Sequence, residues 1–282
     1  MKTLKFDKYV AAGNDFLIFD GRESLGVDYN DLALKASDRH FGIGCDGIMV
    51  CEYSSKADIK MLYYNSDGSQ GEMCGNGIRS FTKYIYDYGI VKKKSISIET
   101  LAGIQYIDLE VDELNKASEI RVNMGRPVFE GEKIPVNLDK EKILEEDIHI
   151  DNMNYKFSAL LVGVPHVIIF VDDINEVNIN ALGEKIENHK LFPKKTNVNF
   201  VKIIDRNNID IYTWERGAGR TLGCGTGSCA SVVVGNLLNR LDSKVRVNTE
   251  GGNLTVELKD DYEIIMTGSA SHVARGEYLF RS

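Results

Sequence analysis

Short runs of alternating apolar and polar residues fill most of the chain, and at four places they give way to a helical period. "SISIETLAGIQYIDL" (95–109) and "VRVNTEGGNLTVEL" (245–258) alternate on either side of a glycine, which predicts a β-hairpin in each. "GNDFLIFD" from Gly13 and "GVPHVIIFVDD" from Gly163 read as a glycine turn leading into an apolar strand. "YNDLALKASDRHF" (29–41) and "INALGEKIENHKL" (179–191) read as amphipathic helices. In "GIRSFTKYIYDYGI" the apolar residues Ile78, Phe81, Ile85 and Tyr88 recur at spacings of three and four, and Gly89 suits the helix end. "SCASVVVGNLLNRL" is apolar nearly all round through Val234, which predicts a buried helix.

These elements come in pairs. Cys74 and Cys224 are 150 residues apart (224 − 74), as are Gly75 and Gly225, Gly77 and Gly227, Leu32 and Leu182, and Lys35 and Lys185. With one residue of slippage, Ile96, Ile98, Thr100, Gly103 and Leu109 lie over Val245, Val247, Thr249, Gly252 and Leu258. The period is far too long for a solenoid. The pattern predicts an α+β protein of two similar halves related by internal duplication. Each half is a rolled mixed sheet or barrel of strands around a central helix.

Composition narrows the partners. An apolar content of 43% and a charged content of 27% belong to a globular chain, not a disordered one. A formal charge of −8 argues against nucleic acid or an anionic membrane as partner, since both need basic patches. No apolar run approaches the ~18 residues of a membrane span, and "MKTLKFDKYVAAGND" lacks the apolar core of a signal peptide. Five cysteines, an odd number, suggest free thiols in a reducing cytoplasm. No Cys-X-X-Cys pair occurs, and the five histidines show no metal-binding spacing.

The candidate chemistry sits in the paired cysteine loops, "NSDGSQGEMCGNGIRS" (65–80) and "ERGAGRTLGCGTGSCAS" (215–231). In each, a cysteine among glycines opens a helix. A helix N-terminus carries unpaired N–H groups and about half a positive charge. It favours a thiolate over a thiol, and it binds anions. Flanking glycines let a ligand approach the backbone. Two such loops facing each other would hold one small carboxylate and present a sulfur to each side of its α-carbon. That suits inversion at the carbon, one sulfur removing the proton while the other supplies one. The amide nests would stabilise the charge developing on the carboxylate. The scheme needs no cofactor, and the glycine loops lack the Gly-Lys-Ser/Thr of a P-loop. Cys229, inside the apolar helix, and Cys45 and Cys51, flanking "DGIMV", read as packing residues.

"NSDGSQGEMCGNGIR" and "ERGAGRTLGCGTGSCA" resemble the two cysteine motifs of the diaminopimelate epimerase family. "GNDF", "GIGCDG" (42–47), "VNMG" (122–125), "PH" (165–166) and "TNVNF" (196–200) are similar to further segments of that family, so the resemblance spans essentially the whole chain. It implies a cofactor-independent epimerase that interconverts LL- and meso-diaminopimelate in the cytoplasm. It implies a domain over 1–117, to which a tail at 272–282 returns, and a second over 118–271. It makes Cys74 and Cys224 the acid/base pair, and Gly75, Asn76, Gly225 and Thr226 the cradles for the reacting carboxylate. Asn14, Asn65, Asn197, Glu215 and Arg216 would bind the rest of the substrate. Arg216 suits a distal carboxylate and Glu215 a distal ammonium. A homodimer is left open.

The chain departs from the family pattern in three places. Val164 stands where an asparagine is common, Arg220 where an acidic residue is common, and "YVAAGNDF" replaces a His-Gly-Leu-Gly lead. These leave room for a racemase of another amino acid. A non-catalytic amino-acid-binding protein on the same fold is a third reading, but binding alone has no use for two thiols. A redox sensor joining Cys74 to Cys224 is a fourth.

Overall fold

The computed structural model describes residues 1–281, which divide into two compact units. The first comprises Met1–Val122 together with the chain from Gly268 onward, and the second comprises Asn123–Thr267.

The first unit runs β1 (Lys2–Ala11), β2 (Asn14–Asp20), α1 (Tyr29–Ser37), β3 (Gly47–Glu52), β4 (Ile59–Asn65), β5 (Gln70–Gly71), α2 (Gly75–Asp87), β6 (Ser95–Thr100), β7 (Gly103–Val111) and β8 (Ala117–Asn123). β8 continues the β6–β7 meander past residue 117 by pairing antiparallel with β7, so the unit extends to Val122. The second unit runs β9 (Ile143–Ile150), β10 (Met153–Val162), β11 (Val164–Phe170), α3 (Ile179–Glu187), β12 (Asn197–Asp205), β13 (Asn208–Glu215), β14 (Gly219–Thr221), α4 (Gly225–Leu237), β15 (Lys244–Thr249), β16 (Gly252–Leu258) and β17 (Ile264–Gly268). A last strand, β18 (Ser271–Phe280), pairs antiparallel with β1 and belongs to the first unit.

The duplication holds at the level of strand register. β2 and β3 run parallel with Phe16 opposite Gly47, and β11 and β12 run parallel with His166 opposite Asn197, both partners 150 higher. Ile48 lies opposite Tyr64 as Val198 lies opposite Trp214. The predicted hairpins close at Thr100–Gly103 and Thr249–Gly252, and in both the threonine hydroxyl donates to the glycine carbonyl, at 2.8 and 2.7 Å. The mixed sheets follow from the sequence. Strands such as β3, buried along nearly their whole length, are apolar on both faces because a helix covers each face. Leu17, Phe19, Ile48 and Val50 pack with Leu32, Ala33 and Ala36 of α1. The intervening Met49 faces α2, at Gly77.

α1 and α3 end at Ser37 and Glu187, short of the 29–41 and 179–191 spans that periodicity suggests. In α1 the Asp38 carboxylate takes up the next two amides, of His40 and Phe41, and stops the helix. α2 and α4 end alike. Gly89 (φ 68°) and Asn239 (φ 56°) take the left-handed position. Beyond them Ile90 N–H donates to Ile85 C=O, and Arg240 N–H to Gly235 C=O, closing a Schellman motif at each end.

Candidate active site

Each catalytic candidate is the N-cap of a buried helix. Cys74 caps α2 and Cys224 caps α4, both in extended backbone conformation, and each sulfur accepts the N–H three residues on, of Gly77 or Gly227, at 3.4 Å. The cap geometry explains the glycines. A Cβ on Gly77 would lie 2.1 Å from Met49 Cε, and one on Gly227 2.2 Å from Asn199 Oδ1. Both helices therefore seat their first turns directly on the sheet.

The electrostatic outcome at Cys224 differs from the expectation of a lowered thiol pKa. Burial pushes the Cys224 thiol well above its usual value, and the neighbouring Glu215 carboxylate adds to the rise. The Gly227 amide and the Thr226 hydroxyl, 3.4 Å from the sulfur, act the other way and do not prevail. Desolvation of an anion outweighs the helix-terminus field here, so Cys224 holds its proton. Cys51 is likewise pushed up by burial, to about 12, and Cys45 is raised for the same reason. Cys229 is fully buried. None of the five cysteines is in a disulfide. Among the described residues no group of three or more His, Cys, Asp and Glu converges as a metal site.

In the first unit Asn14, at the start of β2, meets Asn76, the second residue of α2. The Asn76 amide nitrogen donates to Asn14 Oδ1 at 2.5 Å, and Asn14 Nδ2 donates to Asp46 Oδ2 at 3.0 Å. Asn65 ends β4, opposite Gly47. Its Oδ1 accepts from the Tyr63 hydroxyl at 2.7 Å and its Nδ2 donates to Ser69 Oγ at 3.0 Å. The turn after it is tied to α1 by Asn30 Nδ2, which donates to Gly68 C=O at 2.8 Å.

In the second unit the corresponding turn, 215–219, is tied to α3 by Glu187. That carboxylate accepts from Trp214 Nε1 at 2.7 Å and from Gly217 N–H at 3.1 Å. Burial would raise the Glu187 carboxyl, but hydrogen bonds from Trp214, Gly217 and Lys195 outweigh it and keep the pKa below the usual range. This places Glu215 beside Cys224, with Glu215 Oε1 accepting from the Thr221 hydroxyl at 2.6 Å. Arg216 is largely exposed and donates to Lys194 C=O at 3.2 Å. Asn197 is 4% exposed and is used on both sides by the backbone. Its Oδ1 accepts from Arg216 N–H at 2.8 Å and its Nδ2 donates to Pro165 C=O at 2.9 Å. One lone pair and one N–H remain on that amide for any further contact.

The departures from the family pattern sort themselves. Arg220 pairs with Glu250 through two nitrogens (3.1 and 2.7 Å) and lies over the Tyr212 ring, so its charge is already matched. Gly163, next to Val164, borders Thr226: a Cβ built on it would lie 4.0 Å from Thr226 Cγ2. Val164 thus falls near the α4 mouth, at the position 150 beyond Asn14.

Sequence reasoning missed the residues behind the loops. Arg79, one turn into α2, is fully buried, with Nη1 donating to Gly75 C=O at 3.1 Å and Nη2 to Asn76 Oδ1 at 2.9 Å. Under α4, Asn199 Nδ2 meets His166 Nδ1 at 3.2 Å and donates to Val167 C=O at 3.0 Å. Its Oδ1 accepts from the Thr213 hydroxyl at 3.1 Å. Burial and the positive charge of Arg216 push His166 down to about 3, so it is a neutral ring. A charged residue in the middle of an amphipathic helix was the available signal for Arg79. Nothing in the local pattern marks Asn199 or Thr213.

The family model described as diaminopimelate epimerase matches residues 6–130 and 158–273. A diaminopimelate epimerase of Caldanaerobacter subterraneus is 48% identical over 274 residues, covering 97% of this chain and 99% of that one. One of Clostridium perfringens is 45% identical, covering 98% and 100%. Among solved structures, a Bacillus anthracis protein of the PhzF phenazine-biosynthesis family shares the fold with a TM-score of 0.73 at 19% identity, covering 99% of this chain and 100% of that one. An Agrobacterium vitis hydroxyproline epimerase does so at 0.72 and 13%, covering 98% and 93%. With a family match over most of its length and relatives near half-identical end to end, the chain belongs to the diaminopimelate epimerase family.

Proposed function

We propose that this chain interconverts LL- and meso-diaminopimelate by proton transfer at one α-carbon, with Cys74 and Cys224 as the two acid/base groups and no cofactor taking part. The observation that carries the reading is the matched pair of cysteine N-caps, identical in register and in the amide each sulfur accepts, within a chain whose relatives are named diaminopimelate epimerase. Inversion needs a base on one face of the carbon and an acid on the other. In one direction of turnover Cys74 enters as the thiolate that accepts and Cys224 as the thiol that donates. In that turnover the Cα–H bond breaks with its proton going to the Cys74 thiolate. The Cys224 S–H bond breaks with its proton going to the opposite face. The reverse reaction exchanges the roles. The first-turn amides after Gly75 and Gly225 stabilise negative charge on the reacting carboxylate.

The charged partners of the substrate's second head come from one unit only. The chemical groups are duplicated, but Glu215 and Arg216 correspond 150 residues earlier to Asn65 and Ser66. A distal ammonium and carboxylate therefore have charged partners in the second unit alone. This polarity lets one stereocentre react while the other is held. Asn14, Asn65 and Asn197 complete the binding set, and the enzyme acts in the cytoplasm, where its thiols stay reduced.

The test is turnover of LL-diaminopimelate in D₂O. Deuterium should enter the product α-carbon, and Cys74→Ala and Cys224→Ala should each abolish inversion. Near wild-type epimerisation by either variant would end the two-cysteine mechanism. A panel of other L-amino acids in the same assay tests the alternative that Val164 allows. Faster inversion of one of them than of diaminopimelate would reassign the substrate.

A further inference from the structure

We propose that Arg79 and Asp46 are positioning residues that fix which way the Asn76 and Asn14 amides point. Four side chains from three separate stretches of sequence form one hydrogen-bonded row. Arg79 Nη2 donates to Asn76 Oδ1 (2.9 Å), Asn76 Nδ2 to Asn14 Oδ1 (2.5 Å), and Asn14 Nδ2 to Asp46 Oδ2 (3.0 Å). The two ends are chemically one-sided. A guanidinium can only donate and a carboxylate can only accept. Each amide between them could be turned end for end at no cost in shape, but a turn anywhere sets donor against donor at the arginine or oxygen against oxygen at the aspartate. Arg79 is fully buried and Asn76 is 4% exposed, so water cannot relieve such a mismatch at that end.

Asp46 is itself fixed. Its Oδ2 also accepts from Asp15 N–H (3.1 Å), and its Oδ1 accepts from Arg39 Nη2 (2.7 Å). Arg39 and Lys8 both pair with Asp15 at 2.8 Å. Burial would raise the Asp15 carboxyl, but those two cations hold it below its usual range. The row thus begins in the interior of α2 and ends in a surface ion cluster, with Asn14 between.

The consequence is a set polarity beside Cys74. Asn14 presents its oxygen, not its amide nitrogen, towards the mouth of α2. An acceptor there matches the ammonium on a reacting α-carbon, whereas a donor would repel it. The second unit has no such row: the positions 150 beyond Asn14, Asn76 and Arg79 are Val164, Thr226 and Cys229. The amide order is therefore a property of the Cys74 side alone.

This inference rests on Asn14 contacting substrate, and a double-mutant cycle separates the two claims. Asp46→Asn removes the one-sided acceptor while keeping shape, and should lower kcat/KM for diaminopimelate about 10-fold, the effect of a lost hydrogen bond to a charged group. In the Asn14→Ala background, which has no amide left to orient, the same change should alter kcat/KM less than about 2-fold. An equal loss in both backgrounds would overturn the row, because Asp46 would then act elsewhere. A wild-type kcat/KM for Asn14→Ala would instead overturn the contact reading. At the other end, Arg79→Lys keeps an obligate donor, whereas Arg79→Gln can turn either way. At matched melting temperature Lys should retain more kcat/KM than Gln, and equal values would reject the proposal.

Discussion

His166 shows what a single residue can conceal. It occupies the position of Phe16 in the first unit, and its partners Asn199 and Thr213 occupy those of Met49 and Tyr63. Its folded pKa, about 3, lies below the ordinary histidine value of 6.5. The unfolded chain therefore binds a proton that the folded chain refuses. This histidine imposes no penalty above pH 6.5, and stability is lost as pH falls from there towards 3. At pH 5 the loss is about 2 kcal/mol. Urea unfolding followed by Trp214, the only tryptophan, at pH 7 and pH 5 tests this. The drop should be about 2 kcal/mol smaller in His166→Phe than in wild type, and an identical drop would sink the argument. Arg216 has a different signature. Arg216→Met should raise KM for diaminopimelate about 10- to 100-fold while leaving inversion of the bound substrate intact. An unchanged KM would move the distal head elsewhere.

The two cysteines were legible at this scale because a repeat makes each the witness for the other. The direction of the Cys224 shift was not, because it is the difference between burial and a local field, and a sequence reports only the field. The row from Arg79 to Asp46 was illegible for a related reason. Its members lie at 14, 46, 76 and 79, and only the pairing of β2 with β3 and the packing of α2 on them bring them into line.

At the scale of elements, periodicity foretold the hairpins, the buried α4 and the glycine-ended α2. The early stop of α1 depended on the Asp38 side chain competing for backbone amides, which period alone does not report. The equivalent glycines at the helix mouths make a test of how rigid each seat is. At Gly77 an added methyl meets the free end of Met49, which can swing aside. At Gly227 it meets Asn199 Oδ1, whose amide is held by Thr213, Val167 and His166. Gly227→Ala should therefore destabilise by about 2 kcal/mol more than Gly77→Ala, through overpacking and a broken buried bond. Thermal melts of the two variants compare them directly. A larger cost at Gly77 would mean that the packing under α2 is the stiffer.

For the molecule as a whole, duplication was legible but the origin of one edge was not visible in the repeat itself. In the second unit, β9 directly precedes its partner β10 in sequence, with Met153 opposite Ile150 across a tight turn. In the first unit the equivalent place beside β1 is taken by β18, with Lys2 opposite Phe280. Phe280 is 2% exposed and packs with Leu4, Leu17 and Phe19. Phe280→Ala should cost about 3 kcal/mol and speed amide exchange in β1 and β2 while β12 stays protected. Exchange that rises in both units alike would show that the strand's effect is not confined to its own unit. No helix among the described residues is long and apolar enough to cross a membrane.

That closing strand has a consequence for biosynthesis. The segment 123–267 is continuous, so it can complete its sheet as soon as it clears the ribosome. The earlier half must wait for a ribbon translated after the whole of its twin. The half that is translated first therefore cannot close its sheet, and complete the unit that holds Cys74, until the last strand has been made.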